Sequence, residues 1–418
     1  MEQHISCQRM PIAELDSLLV SSEFLADPYP ILHRLREEDP IHWSDSIGGW
    51  VLTRYDDIVV TFKEVSNYSN EGRLARAVEY LPSESRNRLK TFEDHYRTKG
   101  LLHSDPPDHT RLRTLVTKAF TPRLVEAMRP RMQAIVNEIL DSARRDGGMD
   151  VVKDLGVTLP ITVLAEILGA PVSDRTLFKN WADHLLSFQG VNKPGEDILL
   201  NAQQALVEIR SYLTALVRER RRRPGQDLLS QLVAAESEGD RLSEAELLNT
   251  CITLLVAGHE TSTSMIGNGI YLLLRNQREA WNRLQNDPSL LTPAIEEILR
   301  YESPVARQPR LMKQDVELGG KQIRKGQMVF QMLNAANRDP AYFTDPDCFD
   351  IQREKNRHIA FGLGIHFCVG AVLSRTEGQV VFQTVMRCAP GLRLADEHPD
   401  WDLRKPNSRM LRTLPVWF

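Results

Sequence analysis

The hydrophobic pattern is dominated by one stretch. From Ser243, apolar residues recur on nearly every face of a 3.6-residue helix through Ile252, Leu254, Leu255, Val256, Met265, Ile266 and Ile270, with no proline before about Arg275. Ser243 followed by Glu246 reads as a capping box. At 1.5 Å per residue the predicted helix is on the order of 50 Å long, enough to cross a domain, and its all-round apolarity makes it central and buried. Upstream, Asp27-Pro28-Tyr29-Pro30 starts a short helix that Pro40 ends. Ile41–Trp43 and Trp50–Leu52 read as two strands across the Gly48-Gly49 turn, and Asp56–Glu64 as a helix. Ser66–Gly100 is charged and irregular, either disordered or a gating loop. Asp105-Pro106-Pro107-Asp108 opens another helix, since paired prolines suit a helix start. Leu124–Arg223 is mostly helical. Leu311–Met332 alternates as strands and turns, Asn334–Arg353 is irregular, and a helical pattern resumes after Gly370. The fold class is mainly α with small β-sheets, in one domain over residues 1–418 whose first 25 residues form a partly irregular extension.

Composition adds bounds. The 418 residues carry a formal net charge of −4, which argues against nucleic-acid binding. The run Arg218–Arg223 precedes Pro224-Gly225 and complements a helix C-terminus. Five cysteines (Cys7, Cys251, Cys348, Cys368, Cys388) are scattered without paired spacing. With no signal-peptide pattern and no run of about 20 apolar residues, they point to a cytoplasmic, reducing setting without a membrane anchor.

Candidate chemistry collects in three places. Phe361-Gly362-Leu363-Gly364-Ile365-His366-Phe367-Cys368-Val369-Gly370 sets a cysteine in a glycine-punctuated loop just before a helix. Its glycines allow positive φ or close approach, and a helix start favours an anionic sulfur. That makes Cys368 a candidate thiolate ligand; a buried free cysteine, or a zinc site with His366 lacking its other ligands, are the alternatives. Midway along the central helix stands Ala257-Gly258-His259-Glu260-Thr261. Gly258 costs about 1 kcal/mol there relative to alanine, which invites either a packing reason or a flat ligand against the backbone. The Thr261 hydroxyl can turn back onto a carbonyl near Ala257, and Glu260 is an acid on an apolar helix. His259 is expected to face elsewhere. His109 and Arg113, four apart, share a helix face that either clamps a carboxylate or is simply solvated.

The cysteine stretch resembles, at every fixed position, the haem-binding signature of the cytochrome P450 superfamily, Phe-Gly-x-Gly-x-His-x-Cys-x-Gly. The likeness runs from about Asp27 onward and is to soluble, bacterial-type members. It implies haem b with Cys368 as the iron ligand, lying between the central helix and the helix after Cys368. Phe361, Gly362, His366 and Gly370 belong to the signature. Ala257, Gly258, Glu260 and Thr261 resemble the oxygen-activation motif, in which acid and hydroxyl relay protons. His109, Arg113 and Arg310 match propionate ligands, with Arg307 close by. Glu297, Arg300 and Arg353 match a structural charge network, and the stretch after Ser66 matches a mobile pocket wall. The implied activity is a monooxygenase that hydroxylates or epoxidises an apolar small molecule with O2, in secondary metabolism or lipid, terpenoid or steroid oxidation. Electrons would come from a ferredoxin or flavodoxin with its reductase, docking near Arg111, Lys118, Arg123 and Arg375 on a monomer. A peroxide-driven peroxygenase and a non-catalytic recruitment or sensor domain are the alternatives.

Overall fold

The computed structural model describes residues 10–237 and 240–418. Helices dominate and strands are short, as the periodicity predicts. Residues 1–9 of the expected N-terminal extension, Cys7 among them, lie outside the described residues. The rest of that extension is more regular than expected. Two helices, Ile12–Leu18 and Ser22–Ala26, bury Leu15, Leu19 and Phe24 against Tyr29–Glu38.

The predicted hairpin forms from β1 (Ile41–Ser44) and β2 (Gly49–Leu52), with Trp43 opposite Trp50. It joins β3 (Tyr68–Ser69), β4 (Arg307–Met312) and β5 (Met328–Met332) in a sheet ordered β1-β2-β5-β4-β3. Arg310 pairs with Val329 and Arg307 with Met332. Three residues apart on a strand, the two arginines leave on opposite faces.

The central helix spans Glu244–Asn286 but leaves helical geometry at Arg275–Arg278, where Asn276 to Arg278 have positive φ. Its first part therefore ends where the periodicity ends. Both halves of the capping box are present at its start: Glu246 N–H donates to Ser243 Oγ, and Glu246 Oε2 accepts from Ser243 N–H. Apolar on nearly every face, the helix packs against Thr158–Ile167, Arg175–Leu186 and Ala371–Cys388. No helix of the described residues is long and apolar enough to cross a membrane.

The stretch 66–100 is ordered, which overturns the disordered reading. It folds into a turn at Ala75–Val78 and two short helices, Ser83–Arg88 and Lys90–Arg97. Leu89, Phe92 and Tyr96 are buried at helical spacing, and Phe92 packs edge-on against Phe188 at 4.9 Å. Its high charge lies on the outer face, in pairs such as Lys90–Asp94 and Arg97–Glu93.

Candidate functional site

The cysteine loop is built by two glycines and a backbone bond. Gly362 and Gly364 sit at φ +68° and +67°. A Cβ on Gly364 would lie 2.9 Å from the Phe62 carbonyl oxygen, so this position needs glycine for its conformation and for space. Cys368 N–H donates to Phe361 O at 2.9 Å, closing the loop before the Ala371–Cys388 helix. Cys368 is accessible to solvent-sized space, yet deep enough that desolvation is the largest influence on its thiol and raises its pKa. Accessibility and depth together describe the wall of an internal cavity. The Gly370 N–H and the charges of Arg113 and Arg375 act in the opposite direction, favouring the thiolate. The helix-start effect expected from sequence is thus present but smaller than burial. Among the described residues, no three His, Cys, Asp or Glu side chains group to hold a metal ion, which leaves the zinc alternative without ligands.

Around this cavity the polar side chains lack partners in a consistent way. His109 is 1% exposed with neither ring nitrogen bonded, and its ring lies 4.1 Å from that of His366, whose Nε2 is also unpaired. Burial, with His109 and Arg310 nearby, pushes His366 down to about 3, so the imidazole is neutral. Burial also lowers Arg113, against the attraction of Cys368. Arg310 is 4% exposed and, among the described residues, its side chain bonds only the neighbouring Pro309 carbonyl, with its guanidinium 5.2 Å from the Phe62 ring; burial brings it down to about 9. Arg307 resolves differently, donating to Asn407 Oδ1 at 2.9 Å and Gly190 O at 2.8 Å. Of the two arginines, only Arg310 is left without an acceptor outside its own strand. Two guanidiniums and two imidazoles near a thiol, His109 and Arg310 buried and Arg113 and His366 half-buried, with no carboxylate bonded to them among the described residues, are a donor set for an anionic, metal-centred dicarboxylate such as haem.

On the central helix, Ala257 is exposed and Thr261 half-buried within an otherwise buried run, which marks the face that opens on a cavity. Thr261 Oγ1 donates to Ala257 O at 2.8 Å, the back-bond foreseen from sequence. Gly258 has a packing reason. A Cβ there would meet Leu164 Cδ1 at 3.1 Å, so its missing side chain makes room for the Thr158–Ile167 helix. His259 does face away from Cys368, towards Asp183, Lys179 and Lys405, and burial lowers it to about 4.

Glu260 departs from expectation. It is 6% exposed rather than at bulk water. Lys405 Nζ donates to its Oε2 at 2.6 Å and Ser408 Oγ to its Oε1 at 2.5 Å. Lys405 also lies 3.7 Å from Asp183 on the Arg175–Leu186 helix. Burial opposes the Lys405 charge, but Glu260 and Asp183 more than offset it and raise its pKa. Sequence reasoning missed Lys405 and Asp183, since a pair 145 residues apart leaves no local pattern. Glu377 was also missed: it is fully buried after the cysteine loop, and desolvation drives it up to about 8.

The predicted charge network is present. Glu297 and Arg300, both 0% exposed, form a two-pronged pair at 2.7 Å, and Arg353 Nε approaches Glu297 at 3.2 Å. The basic docking patch is weaker than expected. Arg111 is neutralised by Glu246 and Asp240, and Arg375 by Glu296 at 2.7 Å.

Comparison with known proteins agrees with this geometry. The Cytochrome P450 family model matches residues 75–388. The polyketide biosynthesis cytochrome P450 PksS of Bacillus subtilis is 37% identical, over 94% of this chain and 96% of that protein. The monooxygenase PikC of Streptomyces venezuelae is 38% identical, over 97% and 94%. Among solved structures, P450BioI in complex with hexadec-9Z-enoic acid ligated acyl carrier protein superposes with a TM-score of 0.86 at 36% identity, covering 95% of this chain and all of that one. Myxobacterial CYP267B1 in complex with myristic acid gives 0.85 at 38%, covering 96% and 98%.

Proposed function

The chain belongs to the cytochrome P450 family, and from that premise we propose a haem-thiolate monooxygenase that oxidises an apolar small molecule with electrons from a separate ferredoxin- or flavodoxin-type donor. Monooxygenase activity and haem with a cysteine thiolate follow from the family; the substrate, the donor and the residue roles are the proposal. The observation that carries it is the accessible but deep Cys368 thiol, ringed by His109, Arg113, Arg310 and His366 without acid partners.

Haem, when bound, supplies the reduction and cleavage of O2. The protein's own residues hold and orient it. Cys368 would hold the haem iron through its sulfur, whose negative charge the Gly370 N–H steadies. Arg113, His109, Arg310 and His366 would hold the two propionates by donating charge-assisted hydrogen bonds to them. Thr261 presents a hydroxyl to the cavity while anchored to Ala257 O. Glu260 is the acid that exchanges protons with solvent, through Lys405 and Ser408 rather than directly. The names of the relatives, one assigned to polyketide biosynthesis and two solved with fatty acyl or fatty acid ligands, support a lipid-like or polyketide substrate. A cytoplasmic setting fits the absence of a spanning helix among the described residues and the unpaired cysteines.

The test is the ferrous–CO spectrum. Thiolate ligation gives a strongly red-shifted Soret band; an imidazole-like band, or no haem uptake, would sink the assignment. For the proton role, Thr261→Ala should divert reducing equivalents into peroxide, and unchanged coupling to product would argue against it.

A further inference from the structure

One guanidinium remains after the cofactor is accounted for. Arg73 lies between β3 and the Ala75–Val78 turn, in the stretch that folds against the expected pocket. It shares the signature of Cys368: half-exposed to solvent-sized space, yet deep within the protein. Its Nε is buried with no hydrogen-bond partner, and no carboxylate pairs with it among the described residues. Desolvation brings it down to about 10, and the one ionisable group that opposes this is the Tyr96 hydroxyl. Its charge is felt by Arg310, His103 and His366, which places it beside the same group of side chains.

Charge balance shows that this cation is in excess. Ferric iron brings three positive charges; the porphyrin nitrogens, the two propionates and the thiolate bring five negative ones. The loaded site is then doubly negative, and Arg113 with Arg310 balances it. The surrounding carboxylates are already taken. Asp105 is bonded by Lys313 at 2.7 Å, and Glu296 by Arg375. A buried guanidinium without a counter-ion is costly, so an anion that arrives from outside is the natural partner.

We propose that Arg73, with Tyr96 beside it, is a carboxylate-binding residue of the pocket, and that the carboxylate is the substrate's. The substrate class is then an acid with an apolar tail, held at its polar end by a two-pronged guanidinium–carboxylate contact. Binding is reversible and breaks no covalent bond. The inference rests on the haem-monooxygenase reading and narrows its substrate.

The experiment compares tetradecanoic acid with tetradecan-1-ol on haem-loaded protein, by calorimetry and by the substrate-induced Soret shift. Haem uptake and the ferrous–CO band are checked first; their failure counts against the monooxygenase reading, separately from this one. The wild type should bind the acid more tightly than the alcohol. Arg73→Gln should weaken the acid about tenfold or more and leave the alcohol unchanged. Arg73→Lys, which keeps the charge without the fork, should fall between and guards against a folding defect in the glutamine variant. Equal effects on acid and alcohol, or no acid preference in the wild type, would overturn the assignment. So would a loss of hemin affinity in Arg73→Gln that vanishes with hemin dimethyl ester, because Arg73 would then hold a propionate.

Discussion

Lys405→Met tests the best-defined departure from the sequence-based picture. The substitution keeps the aliphatic stem and removes the ammonium 2.6 Å from Glu260. The Glu260 side chain is 7% exposed and that of Lys405 24%, so water screens the pair little on the acid side. Removing one partner of a buried pair costs about 3–5 kcal/mol when the remaining charge has no escape. Here two escapes exist: Ser408 still donates to Oε1, and the carboxylate can take up a proton. The expected cost is therefore lower, about 2 kcal/mol, with a double-mutant coupling to Glu260→Gln of about the same size. Urea unfolding of the single and double variants measures both. Infrared difference spectra against the wild type, which cancel the Glu377 carboxyl, should show a new protonated-carboxyl band in Lys405→Met at neutral pH that is missing in the double variant. A coupling below about 0.5 kcal/mol, with no such band, would mean that Lys405 is a loose tether and that Glu260 meets water by another route.

Three further outcomes are expected. Glu297→Gln leaves Arg300 and Arg353 buried around a neutral group and should cost about 3–5 kcal/mol in equilibrium unfolding; a cost under about 1 kcal/mol would refute a structural role for the network. Glu296 feels burial upward, but hydrogen bonds from Arg375 and His358 bring it down from 4.5 to about 2. A lowered folded-state value contributes stability above the unfolded value that is lost as pH falls through the folded one. Glu296→Gln should therefore flatten the stability curve between these two values, by up to about 3 kcal/mol, in unfolding measured across acid pH. Gly364→Ala should cost about 1–2 kcal/mol more than Gly320→Ala in thermal or urea unfolding. Both positions have positive φ, but only at Gly364 would the new Cβ meet backbone; equal costs would mean that Phe62 yields freely.

What was legible in the sequence was what local chemistry dictates. The central helix, its capping box, the β1–β2 hairpin and the cysteine loop each announce themselves within a few residues. The Thr261 back-bond also follows from spacing along one helix. The Ser66–Gly100 stretch misled because charge on its outer face outweighed a weaker signal. Leu89, Phe92 and Tyr96, at i, i+3 and i+7, already mark one apolar helix face. Gly258 was legible as a position needing a reason, but the reason, Leu164, comes from a distant helix. The Lys405 bond to Glu260 and the isolation of Arg73 are properties of the assembled fold, set by which groups end up without water or a partner. No pattern along the chain encodes them.

The segment 405–409 reaches into the heart of the molecule from far along the chain after the central helix. Lys405 and Ser408 hold Glu260, Asn407 holds Arg307, and Arg409 bonds Glu302 and the Leu25 carbonyl. During synthesis, at roughly 5–20 residues per second, the central helix exists for some seconds before these partners emerge. Until then its acid has no counter-ion and the wall beside it is open. Completion of the site therefore lags well behind synthesis of the central helix, because the groups that close it are encoded 145 residues after the acid they hold.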